Sequence, residues 1–425
     1  MKIILHRATV CDTQSDYNSK ICDIYIRDGV IEKITSAAKT SPKLSGYKTL
    51  DCQKQLVSPG FCDLRASLGE PGYEYKENLK SAAVAATAGG FTTVACLPNT
   101  LPVIQSKSDI EFIKSKSAAL PIHILPLGAL SHNREGKEMN ELYDMHLAGA
   151  AGFTDGNKPV MHSGLLQRSL EYVRHFNGLI MVHAHDNSLS SQYGVSEGEA
   201  TTYLGMKGVP WLAETTMLMR DTELARYAGH RIHFSHISSR QSVEFIRKAK
   251  KAGAKITCDV AVAHLCFTDT ALSDYNTNYK ITPPLRTEAD RKALWDGLAD
   301  GTIDAIVSDH QPQDIEHKQV EFEYASDGMI QLQTAYSLLC MHAPKNFKTE
   351  LLVQKLSSQP REILQLDKVS VAVGSPAELT LHHNETTWNY TETNNRSLSK
   401  NSPVMGQTLK GKVFATINKN QLNLI

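Results

Sequence analysis

Residues 59–72, PGFCDLRASLGEPG, hold a Pro-Gly turn, a largely apolar run and then polar side chains where a strand should end. Side chains two apart in a strand share a face, so Arg65 and Ser67 should project together into whatever that face encloses. Seven further short apolar runs follow: FTTVACL, IHILPLGAL, AAGFT, GLIMVHA, RIHFSHI, AKITCDVAV and IDAIVS. Residues 77–88, 163–176, 214–228 and 242–252 carry helical spacing between them, and Gly89-Gly90 and Gly253 stop two of these segments. Strands apolar on both faces suit a parallel sheet covered by helices, and eight alternations suit a closed barrel. The expected fold is α/β: a TIM-type (β/α)8 barrel over residues 55–365, with a small β-sandwich formed by both termini, 1–54 and 366–425. Residues 388–403, WNYTETNNRSLSKNSP, are polar and turn-rich and read as a solvated loop.

Lys and Arg number 45 and Asp and Glu 45, so no bulk charge draws the chain to nucleic acid or an anionic membrane. The opening MKIILHRATV is too short for a signal-peptide core, and no apolar run nears the roughly 20 residues that span a bilayer, so a cytoplasmic protein is expected. Eight cysteines lie scattered without a CxxC pair, several inside strand-like runs, and are expected as buried reduced thiols.

In such a barrel the chemistry sits at the carboxyl ends of the strands. Asp155 follows AAGFT, His183 and His185 follow LIMV, His236 follows RIHFS, and Asp309 with His310 closes AIVS. Each alone reads as a hydrogen-bonded core residue; together, two imidazoles and one or two carboxylates are a donor set for one zinc-like divalent ion with an open water position. His183 and His185, two apart, should share a face. His123, His233 and His264 are expected to be structural.

These residues, in this order, resemble the dihydroorotases of the cyclic amidohydrolase superfamily. The resemblance spans nearly the whole chain and is carried by VSPGFCDL, EPGYEYKE, AVAATAGGFTTVACLPNT, RIHFSHIS, PPLRTEADRKAL, DGTIDAIVSDH and SSQPREILQL. It implies reversible ring closure of carbamoyl-aspartate to dihydroorotate in pyrimidine synthesis. One or two metal ions would supply hydroxide, and an aspartate ending the last strand, here Asp309, would shuttle the proton.

Carried over position by position, the resemblance divides. The family's two first-strand histidines are Arg65 and Ser67, and its substrate-gripping arginine is Gly69. The asparagine before the proline pair is Thr282, and the last histidine of the final-strand motif is Gln313. Asn99 is kept for substrate, and Asp155, His183 and His236 are kept for metal. A guanidinium has no lone pair for a metal, so a binuclear centre is not expected, and Arg65 should instead neutralise Asp309. The resemblance therefore implies a degenerate site with little dihydroorotase activity and a structural or regulatory role. It resembles non-catalytic chains that assemble with aspartate transcarbamoylase, and a homo-oligomer is expected. The alternative is an active hydrolase, acting on a cyclic amide or a carbamoyl amino acid through a rebuilt single-metal site.

Overall fold

The computed structural model describes residues 1–190 and 194–425. Parallel pairing joins Phe61–Ala66 to Phe91–Cys96 and that strand to His123–Pro126. A second parallel run joins Met181–His183, Ile232–Ser235, Ile256–Ala261 and Ala305–Val307. Bridges from Phe153 to Gly128 and to Ile180 link the two runs, and a bridge between Ala66 and His310 closes the circle. The run AAGFT thus supplies the fourth stave as a single bridged residue. Cys62, Leu64, Ala95, Met181, Ala261 and Val307 share one apolar cluster with Ile363 and Leu364, while Phe61, Ala66, Phe91 and Val94 of the same strands join another, which is why the runs read apolar on both faces.

The helices form where capping and spacing direct. Leu79–Ala88 starts at Asn78, whose side chain accepts from Ser81 N at 2.9 Å. It stops at Gly89-Gly90, where Gly90 has φ 90° and a Cβ would meet the Phe61 ring at 2.9 Å. Leu212–Ala228 ends at Gly229 with φ 67°. Arg240–Lys251 buries Val243, Ile246 and Ala249 along one stripe.

Both ends of the chain build one eight-stranded sheet. Lys2–Val10 pairs antiparallel with Ile21–Arg27 and parallel with Leu56–Pro59, which in turn pairs antiparallel with Leu379–Asn389. Ile3, Leu5 and Ile24 from the front share a core with Leu379, Leu381 and Ile417 from the back. The chain passes from this sheet into the barrel between Pro59 and Phe61.

Residues 388–403 are a partly buried segment and not a wholly solvated loop. Tyr390, Ser399, Asn401 and Ser402 are buried. The segment crosses to the barrel as a strap: Ser397 Oγ donates to Glu77, Ser399 Oγ to Lys76 O at 2.7 Å, and Asn401 Nδ2 to Gln311 O at 2.9 Å. Hydropathy reads such a segment as exposed because its burial is driven by hydrogen bonds. All eight cysteines are free thiols, seven of them buried. Among the described residues no helix is long and apolar enough to cross a membrane.

Candidate functional site at the barrel mouth

Asp63, Arg65 and Ser67 alternate along the first barrel strand and its continuation, and all three are buried. Arg65, 1% exposed, lies with Nε 3.3 Å from Asp309 Oδ1, an ion pair by distance that is not aligned as a hydrogen bond. Its Nη2 donates to Asn157 Oδ1, Asn157 Nδ2 donates to Gln311 Oε1 at 3.1 Å, and Gln311 Nε2 donates to Asp309 Oδ1 at 2.9 Å. These four side chains close a polar ring at the end of the barrel. His236 Nε2 stands 3.1 Å from the same Asp309 oxygen.

His183 and His236 face each other with ring centroids 5.7 Å apart, and His185 stacks on His183 at 5.4 Å and 11°. Both nitrogens of His183 and Nδ1 of His236 are buried without a hydrogen-bond partner, and His236 Nε2 meets Asp309. Burial, with His236, His185 and Arg65 alongside, holds His183 well below the usual histidine range, so it is neutral at pH 7. Burial alone would raise the Asp309 carboxyl, but His236 and Arg65 outweigh it and hold Asp309 well below the carboxylate range. A carboxylate so stabilised is a good ion-pair partner and a poor proton acceptor.

The other expected residues are engaged elsewhere. Asp155 accepts from Ser131 N at 3.0 Å and from Ser131 Oγ, and burial raises its pKa against those bonds. Asn99 Nδ2 donates to Ser67 Oγ at 2.8 Å. Thr282 Oγ1 donates to Asp327, while Gln313 accepts from Lys76 Nζ at 2.7 Å and donates to Asp327 O at 2.8 Å. Gly69 has φ 71°, and a Cβ there would lie 2.1 Å from Glu77 O. The structure thus brings Arg65, His183, His236 and Asp309 together, while Asp155 is bonded to Ser131. Among the described residues no three His, Cys, Asp or Glu side chains are arranged to hold a metal ion. With a guanidinium among the imidazoles and no such set of three donors, this arrangement does not fit a metal centre.

Several residues around the site escaped the reading of the sequence. His236 and Asp309 both adopt positive φ, 49° and 48°, a conformation that costs a non-glycine residue about 1–2 kcal/mol. Each corner is braced by a buried acid from a neighbouring strand. Asp259 Oδ1 accepts His236 N at 2.7 Å, and Asp63 Oδ1 accepts Ser308 N at 3.1 Å. His233 Nε2 bonds Asp259 Oδ2 at 2.9 Å, which gives that histidine its structural role. Beyond Asp309, His310 Nδ1 accepts Gln331 N at 3.1 Å, so its Nε2 carries the proton facing Glu77 at 3.3 Å. An acid inside an apolar strand run, as in FCDL and ITCDVA, is the signal that would have found the two braces.

Residues 54–242 match a family model described as dihydro-orotase-like. A protein named Dihydroorotase from Syntrophus aciditrophicus (strain SB) is 39% identical over 424 residues, 99% of each chain. Another of that name from Citrifermentans bemidjiense is 37% identical over 425 residues, again 99% of each. Among solved structures, the L-hydantoinase (dihydropyrimidinase) from Arthrobacter aurescens aligns with TM-score 0.85 at 22% identity, covering 99% of this chain and 95% of that one. A D-hydantoinase aligns with TM-score 0.84 at 19% identity, covering 100% and 96%. These two likenesses establish the shared fold, a TIM-type barrel beside a β-sandwich. Identity at this level to two proteins named dihydroorotase, sustained from end to end, means that the chain belongs to the dihydroorotase family.

Proposed function

We propose that this chain serves pyrimidine biosynthesis as a dihydroorotase-family protein whose site has lost the ordinary reaction and whose role is structural or regulatory. The observation that carries the reading is the ring of Arg65, Asn157, Gln311 and Asp309. It spends the carboxylate on a resident cation and sets a permanent positive charge beside the two imidazoles that a metal would need. Gly69 adds to this, since glycine offers a substrate carboxylate no planar two-pronged cation. Aspartate transcarbamoylase is the proposed partner, on the resemblance to non-catalytic chains, and self-association is proposed with it.

One observation favours a second reading, an active cyclic-amide hydrolase with a single metal. Both ring nitrogens of His183 and Nδ1 of His236 lack partners, and buried polar atoms are ordinarily paired. That reading requires Arg65 to swing out of the mouth.

Metal content of protein purified without chelator, measured together with turnover of carbamoyl-aspartate and dihydroorotate, separates the two. The expected result is substoichiometric metal and no turnover in a folded protein. Stoichiometric zinc with turnover overturns the first reading. Arg65→Met should admit metal without restoring turnover, because the substrate anchor stays absent at Gly69.

A further inference from the structure

A cleft of about 550 Å³, whose lining includes neither Arg65, His183, His236 nor Asp309, lies between the strap and the loop that follows Asp309. Its volume falls in the range of about 300–1,000 Å³ typical of small-molecule sites, and it opens where two parts of the fold meet. Tyr75, Ile315 and Leu398 line it and are 60%, 63% and 49% exposed, a large apolar surface for one cleft. Ser402, also in the lining, is 4% exposed and its hydroxyl has no hydrogen-bond partner. An orphaned buried hydroxyl is a polar group awaiting a ligand atom or a water.

The charges in the lining balance, Lys318 and Lys400 against Asp314 and Glu392. Lys400 pairs with Glu392 at 2.5 Å, Asp314 pairs with His317, and Lys318 Nζ donates to Ser326 O at 2.8 Å. No net charge is left to favour an ion of either sign. What remains are the side-chain amides of Asn278 and Gln319, which bond to no other described residue, and the Ser402 hydroxyl. Amides offer donor and acceptor together, so they match a ligand that also carries both.

We infer that this cleft is a second binding site, for a neutral planar amide or imide whose ring packs on Tyr75, Ile315 and Leu398 while its polar edge meets Asn278, Gln319 and Ser402. One wall of the cleft is bonded to the ring at the mouth, since Asn401 Nδ2 donates to Gln311 O.

Benzamide and its charged counterpart benzoate test this directly on the full chain by calorimetry or ligand-observed NMR. Benzamide should bind at least tenfold more tightly than benzoate. Ile315→Glu, at an exposed position that should leave folding intact by circular dichroism, should weaken benzamide at least tenfold, and Asn278→Ala should weaken it as well. Equal binding of the two probes, benzamide binding that survives both substitutions, or no benzamide binding up to its solubility overturns the inference.

Discussion

Gly69 and Arg65 stand four residues apart and differ in how far a change at each can be undone. At Gly69 the backbone itself has adapted. The positive φ disfavours any side chain, and Glu77 O lies 2.1 Å and Tyr73 O 2.8 Å from where a Cβ would stand. Gly69→Ala should cost at least about 1–2 kcal/mol from conformation alone, with the clash added, and denaturant unfolding would reveal it. Gly69→Arg should therefore destabilise the loop instead of restoring a substrate anchor, and an unchanged midpoint would refute this. Arg65, by contrast, fills space within an intact strand. Its pairing with Asp309 was legible, since strand alternation fixed its face and the resemblance placed Asp309 at the same rim. The amides of Asn157 and Gln311 were not legible, because which way an amide points is decided by partners from distant segments.

The strap shows how an element can be misread when burial does not depend on hydropathy. Asn401 donates to Gln311 O at 2.9 Å and Gly328 O at 3.1 Å and accepts Gln313 N at 3.1 Å, so one side chain ties the strap to both ends of the loop after Asp309. Asn401→Ala leaves those buried groups unsatisfied and should lower stability by about 1–3 kcal/mol, measurable by chemical denaturation. Nearby, Lys318 holds the loop after Asp309 by donating to Ser326 O. Burial, helped by Lys280 and opposed by Asp327, lowers its pKa to about 7. In the unfolded chain the amine titrates at its ordinary, higher value, so between these values the unfolded state binds the extra proton. Stability from this group should therefore rise as pH climbs from about 7 towards 10 and stay flat below. Relative to Lys318→Met, the wild-type melting temperature should gain over that window, and a gain on acidification would refute the assignment.

At the scale of the molecule, eight apolar runs were enough to read a closed barrel, because a parallel sheet covered by helices leaves that pattern in any sequence. The pairing of the two ends in one sheet was also legible from matching strand-like flanks. The braces at Asp63 and Asp259 were not, since each works by joining segments far apart in the chain.

The barrel closes between its first and last strands, where Ala66 bridges His310 and Ser308 N and Oγ both donate to Asp63, 245 positions away. A seam spanning so much chain carries a high closure entropy and gains its contacts after the local strand pairs have formed. Its bonds should then act as a kinetic latch, absent from the folding transition state and present in the native one. Ser308→Ala should accelerate unfolding in stopped-flow measurements while leaving refolding nearly unchanged. Slowed refolding would instead place the seam in the folding nucleus, making barrel closure the first event and not the last.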